Sequence, residues 1–240
     1  MLKRRQRERN KFMPADQLKL ATEMVRVNHA HVLNESKAYR QARNALAAEE
    51  IELRRHIVRV AAQRRALPPG GEVTKDYQFD SGGGAIGFAD LFGGKDTLVI
   101  YSFMYGPERK QGCPMCTSQM SAWDGIAPHV MQRAAFVMTA RSPIKRILAY
   151  GKERGWENLR LYSDPNGDYT RDYVSADDAD MPGYNVFTRK DGTIRHFWSG
   201  EGGEATADPG QDSHDAPDMS GLWTILDTTL KGAVRIGIRA

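Results

Sequence analysis

Cysteine is scarce in this chain of 240 residues: there are two, Cys113 and Cys116, three positions apart. Two cysteines cannot build the disulfide framework of a small secreted protein, so a reducing compartment, a bacterial cytoplasm, is the expectation. Long apolar runs are missing too. No stretch of about 18 apolar residues is present to span a bilayer, and the start MLKRRQRERNKF has charge but no apolar core of a signal peptide. No membrane partner is therefore expected. The G-x-S-x-G nucleophile elbow is absent, which leaves Ser213, His214 and Asp215 with the letters of a hydrolase triad and not its geometry.

The remaining ligands of a tetrahedral zinc site are also lacking. No further cysteine stands beside the Cys-x-x-Cys, and no two histidines have the H-x(3–5)-H spacing. A metal site would have to recruit dispersed histidines such as His129, His196 or His214, or share the ion between two chains. The segment GGGAIG at 82–87 satisfies G-x-G-x-x-G, but a second glycine pair, Gly93 and Gly94, follows where a helix should run, so these read as turn glycines. The expectation is a protein with neither resident metal nor organic cofactor.

The net charge of +4 is unevenly spread. Residues 1–75 hold 17 Lys and Arg against 8 Asp and Glu, and the remainder holds 17 against 22. A basic front can attract nucleic acid through counterion release. No aromatic residues interleave the basic residues 1–11, so a solvated helix face is the better reading and nucleic acid is not expected as a partner.

Residues 16–67 contain no glycine and are rich in Ala, Leu, Glu, Gln and Arg, which predicts helix, with Asp16 as an N-cap and LPPGG at 67–71 as the stop. Asn34–Ser36 divides this stretch into two helices. In the second, Tyr39, Ala42, Leu46, Glu50, Leu53, Ile57 and Val60 form one stripe at helical spacing, expected to cover the main domain or to join two copies as a homodimer. The boundary is placed at 71/72, with a helical N-terminal extension over 1–71 and a second domain over 72–240.

From there short apolar runs alternate with Gly, Pro and Asp. DYQFD and AIGF predict edge strands, TLVIYSFM (97–104) a buried central strand, and AAFVMTA and LRLYS further strands. Helices are predicted over TSQMSAWDGIAPHVMQR, bent near Pro128, over SPIKRILAYGKERGW with Pro143 first, and over the late MSGLWTILDTTL. YNVFTRKDGTIRHFW predicts a hairpin turning at 190–192, and the polar stretch at 199–218 a surface loop. The fold class is α/β, a central mixed sheet flanked by helices.

Cys-Pro-Met-Cys falls between the central strand and the next helix. Unpaired amides and the helix dipole at that place favour a thiolate, so Cys113 is the expected attacking sulfur. Cys116, one turn later, is within reach to attack the resulting mixed disulfide. Pro114 suits a first helical position. The order of these elements resembles the thioredoxin arrangement, in which a cis-proline faces the motif, and Pro182, just before the predicted strand at 184–188, is the candidate for it.

These segments resemble a bacterial domain-of-unknown-function family of thioredoxin-like predicted dithiol-disulfide oxidoreductases. The likeness runs from about Tyr39 onward and rests on RRALP, KDYQFD, ADLF, FMYGPERKQGCPMC, SAWDG, SPIKRILAYGKERGW and LWTILDTTLKG. It implies a thioredoxin-like fold, a thiol or disulfide substrate, protein or small, and a thiol reductant such as glutathione or thioredoxin. PMCT and LYSDPNGDYTRDYV are in addition similar to peroxiredoxin segments, which would exchange the roles and make Cys116 the peroxidatic residue. A non-catalytic metal-binding or interaction protein on the same fold is the third reading.

Overall fold

A computed structural model describes residues 18–176 and 179–200. Asp16, the basic residues 1–11, His214, the loop predicted beyond 200 and the helix predicted over MSGLWTILDTTL lie outside the described residues. The chain divides into two compact units at Leu67/Pro68.

In the first unit, α1 (Ala21–Arg26) packs on α2 (Lys37–Arg65). The predicted break is present, and Ser36 caps α2 by accepting the Tyr39 N–H, while Asn34 takes a left-handed φ of 59°. The first helix is much shorter than the composition predicted and ends at Arg26. The contact line on α2 is also displaced from the expected stripe: Ala21 and Val25 pack against Ala47, Ala48 and Ile51, whereas Tyr39, Leu46, Leu53 and Ile57 stay exposed. α1 is too short to cover more than one line of a 29-residue helix.

In the second unit a seven-stranded sheet has the order β2-β1-β5-β4-β3-β6-β7. Its strands are β1 (Gln78–Asp80), β2 (Ala85–Gly87), β3 (Thr97–Ser102), β4 (Ala135–Ala140), β5 (Arg160–Ser163), β6 (Gly183–Lys190) and β7 (Thr193–Ser199). β3, β4 and β5 are parallel, and β6 and β7 form an antiparallel hairpin beside β3. Between the strands run α3 (Pro114–Asp124), α4 (Ala127–Val130), α5 (Ile144–Glu153) and α6 (Asp168–Tyr173). No helix among the described residues is long and apolar enough to cross a membrane.

β3 and β4 are largely apolar because both faces are covered. Val99, Tyr101, Phe136 and Met138 point to one side, where Met120 and Trp123 of α3 and Ile147 and Tyr150 of α5 meet them. Leu98, Ile100, Ala135 and Val137 point to the other, against Phe79, Phe88, Phe92 and Tyr169. Each such fully buried side chain stabilises by about 1.5–3 kcal/mol, which outweighs any strand propensity of its own segment. A central strand joined to its motif helix, with a parallel neighbour on one side and an antiparallel hairpin on the other, is a thioredoxin-like fold.

Of three local features, the turn glycines stand as expected and the other two were legible only in part. Gly82 (φ 84°) and Gly84 (φ 132°) lie in the turn of the β1–β2 hairpin, as turn glycines rather than a phosphate loop. The LPPGG stretch does more than stop a helix. Gly71 accepts the His196 N–H (2.9 Å) and Val73 donates to Ile194 O (2.9 Å), so this segment lies along the outer edge of β7. The bend after α3 falls at Gly125–Ile126, before Pro128.

Candidate active site

The loop over 103–112 leaves the carboxyl end of β3 and delivers Cys113 to the N-cap of α3, with Pro114 in its first turn. Cys113 N–H donates to Met104 O (3.0 Å), closing that loop on itself. Cys113 is half-buried and Cys116, inside the same turn, is 3 % exposed. Both are free thiols.

The two sulfurs have opposite acidities. Cys113 is lowered to about 6, first because the Cys116 thiol donates to it, then, against the opposing effect of burial, by the amides of Cys116 and Met115 and by the charge of Arg109. Cys116 is pushed far up by that same bond, by burial and by the negative charge it faces. One thiolate and one protonated thiol is therefore the favoured arrangement of the pair. It leaves Cys113 as the sulfur that carries the thiolate near neutral pH.

The loop is clamped from three sides. Asp180 accepts from Gly106 N–H (3.1 Å) and pairs with Arg109. Arg146 of α5 donates to Pro107 O (2.8 Å) and to Arg109 O, and its guanidinium lies 4.9 Å over the Tyr105 ring. Ser142 donates its hydroxyl to Gly106 O (3.1 Å) and its N–H to Tyr105 O (2.9 Å). Behind the motif, Thr117 and Tyr150 are buried and joined by a 2.8 Å hydroxyl contact. Asp180, Arg146, Ser142, Thr117 and Tyr150 were not singled out from the sequence. The available signal was the i, i+4 pair Arg146 and Tyr150 in an amphipathic helix, which puts a charge and a phenol on the face turned to the motif.

Pro182 is placed as expected and built otherwise. Gly183 pairs with Ser102, so Pro182 stands at the carboxyl end of β3 from which the motif loop departs. Its peptide bond is trans, however, as are all peptide bonds of the described residues. The segment before it is held by Asp180 on the motif loop, and nothing in that anchoring overrides the ordinary trans preference of about 0.5–1 kcal/mol.

Among the described residues, the dispersed histidines His129 and His196 do not converge on the cysteines. His129 is exposed on α4. His196 packs against Tyr173 and Phe187, with Nε2 3.1 Å from Asn185 Oδ1, on the sheet face opposite the one Cys116 faces. Among the described residues no three His, Cys, Asp or Glu side chains gather as a metal site would need. Trp123 and Trp156 serve the core: Trp123 stacks edge-on with Tyr101, and Trp156 contacts Tyr150 and donates its indole N–H to Ser121 (2.9 Å).

Solved structures similar to this chain include a hypothetical protein from Sinorhizobium meliloti 1021, 15% identical over 71% of this chain and 90% of that one, with a TM-score of 0.42. A mutant of Xylella fastidiosa PrxQ is 14% identical over 55% of this chain and 84% of its own, at 0.41. A putative protein disulfide isomerase from Bacteroides thetaiotaomicron is 20% identical over 54% and 77%, at 0.39. Among curated proteins nothing matches. The model of one family covers residues 28–236, and by that match the chain belongs to the bacterial proteins of unknown function grouped as DUF899.

Proposed function

We propose that the protein is a dithiol-disulfide oxidoreductase with Cys113 attacking and Cys116 resolving. The observation that carries the reading is the split pair: a half-buried Cys113 lowered to about 6 beside a buried, protonated Cys116 that donates to it. The Cys113 thiolate attacks one sulfur of a substrate disulfide, the other sulfur leaves as a thiolate, and a mixed disulfide forms. Cys116 then loses its proton and attacks the Cys113 sulfur. The second substrate sulfur departs as a thiol and Cys113–Cys116 becomes the disulfide, two electrons having passed to the substrate. A thiol donor such as glutathione or thioredoxin returns them.

The step that raises Cys116 to an attacker is built into the first. Once Cys113 is in a mixed disulfide its negative charge is gone, and with it both the bond and the repulsion that hold the Cys116 proton. The peroxidase reading, with Cys116 attacking first, starts from the wrong sulfur: that thiol is buried and its proton is held tightly.

The test is a redox titration in graded glutathione buffers, with thiols trapped by alkylation and read by intact mass. A single two-electron midpoint between about −270 and −120 mV, the span of known exchange enzymes, is expected. Failure of the pair to form an intramolecular disulfide at any poise overturns the assignment. Turnover of a disulfide substrate should vanish in Cys113→Ser, whereas a scaffold protein would keep its biological effect in that variant.

A further inference from the structure

Tyr150 lies on α5, far from the motif in sequence, yet its ring is packed against the residue that precedes the nucleophile. A Cβ added to Gly112 would meet the Tyr150 ring and hydroxyl at 3.1–3.2 Å, tight enough that the phenol would have to give by a few tenths of an ångström. The Tyr150 hydroxyl reaches Thr117 Oγ1 at 2.8 Å. Thr117 Oγ1 in turn lies 2.8 Å from the carbonyl oxygen of Cys113, which also accepts the Thr117 N–H at 2.9 Å.

The directions of these bonds follow from the groups. A carbonyl only accepts, so the Thr117 hydroxyl proton is committed to Cys113 O. Tyr150 must then be the donor to Thr117. The result is a one-way chain, Tyr150 O–H to Thr117 O–H to Cys113 C=O, inside a buried site where such chains reinforce each other. A threonine bonding back to the carbonyl four residues earlier is common in helices. A buried tyrosine that extends the bond while its ring presses on the preceding glycine is not accounted for by helix geometry.

We propose that Tyr150 is a positioning residue for Cys113, holding the Gly112–Cys113 backbone through Thr117 so that the first-turn amides of α3 stay turned toward the sulfur. Glycine gives the chain freedom at the very place where the nucleophile must be fixed. The phenol removes that freedom. The inference rests on the reading of Cys113 as the attacking thiolate, and its effect is felt on the sulfur and not on Tyr150 itself, which meets no substrate.

The experiment follows the pH dependence of Cys113 alkylation by iodoacetamide in the reduced full-length protein, resolved from Cys116 by peptide mass, with urea unfolding measured alongside. Tyr150→Phe keeps the ring and deletes the donor. It is expected to raise the Cys113 midpoint by about half a unit to one unit, the span of one hydrogen bond expressed at the thiolate. Thr117→Val should do the same, Thr117→Ser should titrate as wild type, and the double variant Tyr150→Phe/Thr117→Val should shift no further than Thr117→Val alone. A Tyr150→Phe protein whose Cys113 midpoint equals that of wild type overturns the proposal, whatever happens to its urea midpoint, and so do additive shifts in the double variant. A wild-type Cys113 that itself titrates near the free-thiol value of about 8.5 overturns the thiolate reading on which the proposal stands.

Discussion

Replacing Cys116 by alanine removes the largest single influence on the Cys113 thiolate, the S–H donor beside it. A hydrogen bond to a charged acceptor stabilises by about 1.5–3 kcal/mol. At about 1.36 kcal/mol per unit, its loss moves Cys113 up by about one to two units, to between about 7 and 8. At pH 6 the thiolate fraction then falls from about one half to between about one-tenth and one-hundredth. The remaining thiolate is more basic and intrinsically faster, by about threefold per unit for a Brønsted coefficient near 0.45. The two effects combine into a crossing. Single-turnover reaction with a small symmetric disulfide should be about 2-fold to 6-fold slower than wild type at pH 6 and about 3-fold to 7-fold faster at pH 9. Cys116→Ser, which keeps a hydroxyl donor, should fall between. The assay is stopped-flow release of the leaving thiol, with the mixed disulfide confirmed by mass. Rates displaced in one direction at both pH values, or a Cys113 midpoint still near 6 in the alanine variant, would refute the argument and assign the thiolate to the helix terminus alone.

Two further outcomes follow from the same geometry. The folded Cys113 is lowered from an ordinary thiol value of 9.0 to about 6, so its thiolate contributes stability that is complete above the unfolded value and is lost as pH falls toward 6. In reduced protein the urea-midpoint advantage of wild type over Cys113→Ala should therefore grow from pH 6 to pH 9, and an advantage that shrinks over that window would contradict the lowered pKa. Gly70→Ala places a Cβ 2.0 Å from the backbone oxygen of His196, against an atom that cannot swing aside. It should cost about 1–3 kcal/mol by urea unfolding, and an unchanged midpoint would show that the 70–73 segment is not held on the edge of β7.

Most of the second unit was legible because its elements are locally determined. Runs such as 97–102 and 135–140 are largely apolar on both faces, short and rich in β-branched and aromatic residues, the pattern of a strand buried on both sides. The cysteine pair was legible for the same reason, since its chemistry depends on a spacing of three and on the helix that begins there. Where the reading went astray, a contact distant in sequence decided the outcome. Helix propensity over 16–67 gave no indication that the first helix would end at Arg26 or pack on Ala47, Ala48 and Ile51, a line beside the stripe read by periodicity. The proline at 182 was correctly placed by its strand, but its bond keeps the ordinary trans isomer, since a position in the fold does not by itself overcome the trans preference.

The site shows the same division more sharply. Thr117 is four residues from Cys113, but Tyr150 is 33 residues from Thr117 and Arg109 is 71 from Asp180. Reactivity at a Cys-x-x-Cys is therefore only half a property of the motif. The helix start lowers the thiol of any cysteine placed there. Holding that start still, in a loop that contains Gly106 and Gly112, falls to side chains from α5 and from the segment before β6. A chain that kept Cys-Pro-Met-Cys and lost Tyr150, Arg146 and Asp180 would keep the letters of the motif without the fixed amides that favour its thiolate. In this chain, the proposed exchange chemistry rests on those three positions as well as on the cysteines.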